Sequence, residues 1–131
     1  MVRKLDLKVK DTVFDPSSAP QNRTVYYRSE GQTTLYKVWI LLEGIDLPYV
    51  ASVTYRLHST FPDPNRRVRR TVANPTCQLI IWTWGLFKIR AMVEDKNGRI
   101  HEFVYDMKYD AELRQEGVKY VKVKAAASKA S

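Results

Sequence analysis

The residues best suited to chemistry stand together in one short run of the chain, Leu-His-Ser-Thr-Phe-Pro-Asp-Pro, at positions 57–64. They supply an imidazole from His58, two hydroxyls from Ser59 and Thr60, and an aromatic ring from Phe61. Imidazoles and hydroxyls both donate and accept hydrogen bonds, and a phenyl ring offers an apolar surface. Loops at strand ends commonly carry binding residues. This run is therefore predicted to be a loop at which a ligand docks.

A strand must lead into this loop, and prolines must end that strand. Residues 51–58 alternate apolar and polar side chains, which is the pattern of a half-buried strand. Pro62 and Pro64 lack backbone donors and disfavour helix for the residues before them. Residues 60–64 are therefore predicted to form an ordered, extended loop at the exit of the strand.

The sequence lacks the motifs of several common enzyme classes. It contains no glycine-rich phosphate-binding run and no Gly-x-Ser-x-Gly nucleophile motif. The second histidine, His101, lies far along the chain beside a predicted hairpin, and a structural role is favoured for it. Cys77 has no cationic neighbour in sequence and is predicted to be a buried, inert thiol. We therefore expect no catalysis, no cofactor and no metal site.

The composition is that of an ordinary folded domain with a basic surface. The chain has 131 residues, of which 44% are hydrophobic and 27% charged, and its net charge is +8. This charge permits attraction to acidic surfaces or nucleic acid. No apolar run approaches the ~20 residues that span a bilayer, and residues 1–7 lack the apolar core of a signal peptide. The single cysteine excludes an internal disulfide, so a cytoplasmic, reducing location with no membrane partner is expected.

Short alternating segments separated by turns predict an all-β chain, an antiparallel β-sandwich of about seven to eight strands. Residues 1–124 are predicted to form a single domain, followed by a frayed tail at 125–131. An Asn97-Gly98 pair predicts a hairpin, and the arginine-rich residues 65–72 predict a charged edge strand. Other strands are predicted at residues 3–9, 24–28, 35–43, 77–83, 87–93, 101–109 and 118–124, with one helical turn at 110–115.

Two separated motifs together resemble one known family. The run at 57–64 is followed by a basic stretch and then by Trp-Gly-Leu-Phe-Lys-Ile at 84–89. This order closely resembles the YEATS domain, whose pattern is Leu-His-x-[Ser/Thr]-Phe-Pro-x-Pro followed by aromatic-Gly-x-Phe-x-Ile. The resemblance covers residues 35–106 and is nearest to the prokaryotic branch. It implies an immunoglobulin-like sandwich and a non-enzymatic reader of acylated lysine, mainly acetyl-lysine and crotonyl-lysine.

The implied ligand has a clear physical logic. Acylation converts the strongly hydrated ammonium of lysine into a flat, neutral amide. An aromatic slot can stack on that plane, with a gain of about 1 kcal/mol beyond the buried area. Hydroxyl and backbone N–H groups then pair with the amide, which would cost about 1–3 kcal/mol if it were buried without partners.

The resemblance implies a slot between Trp84, His58 and Phe61, and it assigns a role to each residue that contacts the ligand. The implied set is His58 as a pocket wall, Thr60 as the hydroxyl that bonds the ligand amide, Phe61 and Trp84 as facing aromatic walls, the backbone at Trp84 and Gly85 as the amide donor, and Tyr36 as an aromatic of the first loop.

Other partners and functions stay open at this point. A basic chain with four arginines after the loop (Arg66, Arg67, Arg69 and Arg70) is a poor match for a basic histone tail. An acylated neutral or acidic protein, or a small acyl-amide ligand, fits better. The alternative is a structural protein–protein interaction domain that uses its edge strands, with the pocket residues serving as packing. Nucleic-acid binding through the arginines ranks last, because base-stacking aromatics are not interleaved with them.

Overall fold

The computed structural model describes residues 4–124, and nearly all of their regular structure is β-strand. The strands are β1 (Lys8–Thr12), β2 (Thr24–Glu30), β3 (Thr33–Glu43), β4 (Val50–Arg56), β5 (Asn65–Arg69), β6 (Leu79–Thr83), β7 (Lys88–Asp95), β8 (Ile100–Asp106) and β9 (Lys119–Lys122). A 3-10 helix at Leu47–Tyr49 and one helical turn, α1 (Asp110–Leu113), complete the elements of this part of the chain. The all-β prediction is confirmed, with nine strands instead of seven or eight. The tail predicted at residues 125–131 lies outside the described residues.

Hydrogen bonding joins the strands into two sheets. The first has the order β1-β3-β2-β9, with β6 also paired to β3, and the second has the order β5-β4-β7-β8. The β2–β3 pair and all three pairs of the second sheet are antiparallel. Strand β9, however, runs parallel to β2. A parallel partner requires a long connection rather than a tight hairpin, and residues 31–118 separate β2 from β9 along the chain.

The described chain divides into two compact units. Unit 1 contains residues 4–11, 40–79 and 87–107, and with them the whole second sheet. Unit 2 contains residues 12–39, 80–86 and 108–124, and with them β2, β9 and α1. Strand β3 contributes residues to both units, because the boundary at residue 40 falls within it.

The core of unit 1 is built on alternating residues of β4 and β7. Val53 lies opposite Val93, and Tyr55 lies opposite Ala91. All four side chains are completely buried. Alternate residues of a strand share a face, so the alternation of the sequence places these four together. Burying each large apolar side chain stabilises the fold by about 1.5–3 kcal/mol. The predicted half-buried strand before the loop is confirmed.

The β7–β8 hairpin turns at Asn97-Gly98, as predicted. Gly98 has a φ of +83°, in the region that favours glycine. A carboxylate oxygen of Asp95 accepts hydrogen bonds from the backbone N–H of Asn97 at 2.9 Å and of Arg99 at 3.0 Å. The other oxygen lies 2.9 Å from Nε2 of His101, and both residues are buried. This pairing agrees with the structural role predicted for His101.

Strand β6 begins at Leu79 and not at Cys77, where the sequence predicted it. Cys77 has a φ of +53°, a left-handed conformation that no strand accommodates. Its carbonyl accepts a 2.9 Å hydrogen bond from the Tyr55 hydroxyl, and its side chain is fully buried. Burial raises the pKa of the Cys77 thiol to about 11. The predicted inert thiol is consistent with this environment.

Two edge segments differ in how well the sequence anticipated them. Strand β5 forms an edge of the second sheet, with Arg67 and Arg69 exposed as predicted. Strand β1 begins at Lys8, so only the end of the strand predicted at 3–9 is realised, and residue 3 is outside the described range.

None of the helices within residues 4–124 has both the length and the apolar character required to cross a bilayer.

Candidate functional site

The loop predicted to bind a ligand is a closed turn and not an extended segment. The backbone N–H of Leu57 donates to the carbonyl of Pro64 at 2.7 Å, and that of Phe61 donates to the carbonyl of His58 at 3.0 Å. Proline fixes only its own φ, near −65°, and this value fits turns as well as extended chain. The prediction of an extended loop was therefore wrong. We call residues 57–64 the His58 turn.

Within the His58 turn, the imidazole of His58 is bonded twice to Thr60. The backbone N–H of Thr60 donates to Nδ1 at 3.2 Å, and the Thr60 hydroxyl oxygen lies 2.9 Å from the same nitrogen. With the ring proton on Nε2, Nδ1 accepts from the backbone N–H and from the Thr60 hydroxyl; with the proton on Nδ1, the ring donates to the Thr60 oxygen instead. In both tautomers the Thr60 oxygen keeps at least one lone pair as an acceptor. Both side chains are exposed, so this lone pair faces solvent.

Phe87 packs against both rings of the His58 turn. Its ring centroid lies 5.4 Å from that of Phe61 and 6.1 Å from that of His58, the latter edge to face. The Phe87 carbonyl accepts a hydrogen bond from the backbone of Met107 at 3.3 Å, which ties its main chain to the end of β8. The sequence analysis placed Phe87 at the start of a strand and missed this supporting role. The sequence feature that pointed to this role is the position of Phe87 in the aromatic-Gly-x-Phe element.

Arg66 fastens the His58 turn from the start of β5. Its Nε donates to the carbonyl of Asp63 at 2.6 Å, and its Nη2 donates to the carbonyl of Pro62 at 2.8 Å. Asp63 has a φ of +49°, a conformation that costs energy for a residue other than glycine. The planar fork of arginine can hold two successive carbonyls in place. The sequence predicted Arg66 as one arginine of a charged edge strand, and its side chain also fixes the His58 turn.

Two of the other three arginines that follow the loop, Arg67 and Arg70, are also engaged within unit 1. Arg67 forms an ion pair with Glu94 at 3.7 Å. Arg70 donates from Nε to the carbonyl of Pro75 at 3.1 Å. Phosphate binding through these side chains would compete with contacts that they already make. This observation counts against the nucleic-acid alternative.

Trp84 and Gly85 follow β6 at a bend in unit 2. The indole of Trp84 is 67% exposed, so a large aromatic surface faces solvent. The carbonyl of Gly85 accepts a 2.9 Å hydrogen bond from the Tyr109 hydroxyl. The N–H of Gly85 donates to the hydroxyl oxygen of Thr83 at 3.4 Å. These contacts fix the backbone that the sequence assigned as an amide donor.

Tyr36 lies within β3 and not in a loop, contrary to the role implied for it. Its ring centroid is 6.4 Å from that of Tyr109. Together with Tyr27, Thr34 and Tyr120 it lines a cavity of about 330 Å³ in unit 2. Tyr36 is therefore part of a tyrosine cluster, which the sequence pattern did not indicate.

A comparison with protein families decides the affiliation of the chain. The family model of the prokaryotic YEATS domain matches residues 35–108, more than half of the 131 residues. The chain belongs to the prokaryotic YEATS family. The matched segment of this YEATS domain includes the His58 turn, Trp84 and Phe87, so the resemblance drawn from the two motifs is confirmed.

Relatives of this YEATS domain include a curated protein and several solved structures. Subunit 14 of the transcription initiation factor TFIID from Schizosaccharomyces pombe is 32% identical over 78 residues, covering 58% of this chain and 30% of that protein. The crystal structure of the yeast AF-9 homolog protein Yaf9 aligns with a TM-score of 0.52 at 19% identity, over 79% of this chain and 64% of that one. The chain thus spans less than two thirds of the length of both relatives.

Two further structures contain the YEATS domain of Yaf9 with peptides. One recognises an H3K122suc peptide and aligns with a TM-score of 0.54 at 20% identity, over 86% of this chain and 80% of that one. The other is bound to H3K27ac and aligns with a TM-score of 0.50 at 18% identity, over 82% and 76%. At these identities the comparison establishes the fold, the immunoglobulin-like β-sandwich that the sequence predicted. YEATS relatives thus include domains bound to acylated histone peptides.

Proposed function

We propose that this YEATS domain is a non-enzymatic recognition module that binds an acylated lysine, or a similar flat acyl-amide group, at the His58 turn. The observation that carries the proposal is the bond between the Thr60 hydroxyl and Nδ1 of His58. In either tautomer of His58 the Thr60 oxygen keeps at least one lone pair that can accept the N–H of a ligand amide. Burying an unmodified ammonium against the Phe61 ring would strip its hydration, at a larger cost than burying a neutral amide.

Aromatic contacts complete the proposed site. The half-buried ring of Phe61, braced by Phe87, supplies a surface on which a planar amide can stack. Trp84 is proposed as a second aromatic contact, which its position in the family motif and its exposure support. The backbone at Trp84 and Gly85 is proposed as the donor to the acyl carbonyl, with the Gly85 N–H exchanging its 3.4 Å bond to Thr83 for the ligand. For Tyr36, the family resemblance is the only support for a contact with the ligand.

The proposed carrier of the acyl group is a neutral or acidic protein or peptide, or a small acyl amide. The net charge of +8 disfavours encounter with a strongly basic peptide, since like-charged surfaces repel. The Yaf9 domains bind peptides marked H3K122suc and H3K27ac. The shared chemistry is the acyl amide, and the electrostatics of this chain favour a different flanking sequence.

Calorimetric titration with a peptide that carries acetyl-lysine or crotonyl-lysine, and with its unmodified form, tests the proposal. The acylated peptides are expected to bind and the unmodified peptide is not. Thr60→Val keeps the shape of the side chain and should weaken binding about tenfold, because an unpaired buried amide costs ~1–3 kcal/mol. Thr33→Val, at an exposed position at the start of β3, is the matched control and should leave binding unchanged.

A second variant tests the aromatic contact. Trp84→Ala should weaken binding about 30-fold or more, since truncating an aromatic anchor costs about 2 kcal/mol or more. Tyr49→Ala removes another exposed aromatic and serves as the control. Binding that survives both Thr60→Val and Trp84→Ala would place the ligand elsewhere. If no acylated peptide binds the unaltered chain, the proposal fails and the structural interaction domain becomes the better account.

A further inference from the structure

Strand β6 differs from the other strands that lie at sheet edges within residues 4–124. Each of these other strands carries at least two charged side chains, namely β1 (Lys8, Lys10, Asp11), β5 (Arg66, Arg67, Arg69), β8 (Glu102, Asp106) and β9 (Lys119, Lys122). Strand β6, with the sequence Leu-Ile-Ile-Trp-Thr, carries none and pairs only with β3 in the described sheets. Charges on edge strands discourage the addition of another strand. The unpaired side of β6 lacks this protection.

Exposed apolar side chains lie on β6 and just beyond it. Ile80 and Trp82 belong to β6, and Trp84 and Leu86 follow after the strand ends at Thr83. Ile80 is 47%, Trp84 67% and Leu86 49% exposed. Within β6, Ile80 and Trp82 share a face because alternate residues of a strand point the same way. Exposed apolar surface along an open strand edge is typical of an interaction site.

Arg28 already covers part of one side chain of β6. The guanidinium carbon of Arg28 is 4.6 Å from the ring centroid of Trp82, and Nη2 pairs with Glu30 at 3.1 Å. The Trp82 ring is thus packed against the chain itself, and Ile80, Trp84 and Leu86 are the apolar side chains left exposed for a docked strand.

We infer that the edge of β6 docks an extended, neutral or acidic peptide as an additional strand, and that this peptide carries the acylated lysine. The inference rests on the proposed function, because Trp84 and Gly85 directly follow β6 and belong to that site. In strand addition, main-chain hydrogen bonds provide affinity and alternate side chains provide specificity. A second copy of the chain is a poorer occupant, since each copy brings a net charge of +8.

Amide hydrogen exchange on the full chain tests this docking mode with two probes. One is acetyl-lysine with blocked termini. The other is a longer peptide with acetyl-lysine at its centre and alternating valine and glutamate on either side. The longer peptide should slow exchange of amides within Leu79–Thr83 at least about tenfold, because strand pairing protects edge amides, whereas blocked acetyl-lysine should not. Methylating alternate backbone nitrogens of the long peptide should abolish the protection.

A charge placed on the edge provides a second readout. Ile80→Glu should weaken binding of the long peptide about tenfold, since a negative charge on the edge strand repels the glutamates of the peptide and opposes pairing, and should leave binding of blocked acetyl-lysine unchanged. Val104→Glu is the matched control, because Val104 is 55% exposed on β8 and lies on a different edge. Both substitutions are at exposed positions, and circular dichroism verifies that both variants fold.

The outcomes separate the inference from the proposed function. Equal affinity for both probes, with no protection of β6, overturns the docking edge and leaves the acyl-lysine site standing. Protection of β6 by the long peptide without any binding of blocked acetyl-lysine supports the edge and overturns the acyl-lysine site. Protection that appears without peptide as protein concentration rises identifies a second copy and overturns the inference. If neither probe binds, the docking edge and the acyl-lysine site are both overturned.

Discussion

The rings of Phe61 and Phe87 lie 5.4 Å apart, centroid to centroid, and this contact joins the His58 turn to the start of β7. Phe87→Leu keeps an apolar side chain but removes the aromatic pair, which is worth about 1 kcal/mol. We expect affinity for an acetyl-lysine peptide to fall about fivefold, because Phe61 and His58 lose their support. Calorimetric titration measures the change.

The control for Phe87 is a second half-buried phenylalanine of unit 1. Phe103 lies in β8, with the ammonium of Lys4 4.7 Å from its ring centroid. Phe103→Leu should lower the thermal midpoint by an amount similar to Phe87→Leu and leave ligand affinity unchanged. Equal losses of affinity in both variants would show that general destabilisation, and not positioning of the turn, is responsible.

The bond from the Tyr55 hydroxyl to the Cys77 carbonyl fixes a left-handed residue in the interior of unit 1. Tyr55→Phe would leave that buried carbonyl without its partner, at a cost of about 1–3 kcal/mol. Urea unfolding should show the loss as a lower midpoint with an unchanged slope. Tyr49→Phe changes an exposed hydroxyl and should alter stability by less than about 0.5 kcal/mol. Similar losses in both variants would contradict the role of the bond.

Local patterns were sufficient to predict much of the fold. The alternation of residues 51–58 identified β4, and Asn97-Gly98 identified the hairpin, because both signals depend on neighbours in sequence. The spacing of His58 and Thr60 likewise indicated one loop, and the structure joins their side chains directly. The two separated motifs identified the family, which the match over residues 35–108 confirmed.

Specific hydrogen bonds, some distant and some local, decided the features that the sequence did not predict. Cys77 begins an apolar, β-branched run that predicts a strand. Its carbonyl instead accepts a hydrogen bond from the hydroxyl of Tyr55, 22 positions earlier, and the strand starts only at Leu79. The His58 turn closes through Leu57 and Pro64 and is held by Arg66, a residue that looked like part of a basic strip. No local propensity contains this information, because these bonds exist only once the chain has folded.

The backbone at Gly44 has no room for a side chain. Its φ is +144°, and an added Cβ would stand 2.3 Å from the carbonyl oxygen of Asp6 and 2.9 Å from Cα of Leu7. Both neighbours are main-chain atoms, so neither can move cheaply. Gly44→Ala should therefore destabilise the chain by about 2 kcal/mol or more, since strain and a steric clash act together.

The comparison for Gly44 is a glycine that has a positive φ but open space. Gly31 has a φ of +61°, and an added Cβ would meet no atom within 4 Å. Gly31→Ala should cost only about 1 kcal/mol, the price of a left-handed alanine. Chemical denaturation of both variants measures the difference. If both variants lost the same free energy of unfolding, the positive φ alone, and not the close contact with Asp6, would explain why position 44 is a glycine.

The pairing of Asp95 with His101 predicts a specific dependence of stability on pH. The hydrogen bond from the His101 side chain, followed by those from the backbone of Arg99 and Asn97, lowers the pKa of Asp95. A carboxyl whose pKa is lower in the folded state stabilises that state when ionised. This contribution is present above the unfolded pKa of about 3.9 and is lost as the pH falls through the lower, folded value.

Asp95→Asn removes the ionised carboxylate and should change this profile. The variant is expected to be less stable than the parent at pH 7 and to lose less stability as the pH falls through the folded pKa of Asp95, because it has no proton to take up at this position. Urea unfolding at several pH values measures both effects. Glu43→Gln, at the exposed end of β3, is the charge-matched control and should keep the parental slope. If Asp95→Asn retained the full acid sensitivity of the parent, carboxylates other than Asp95 would have to account for it.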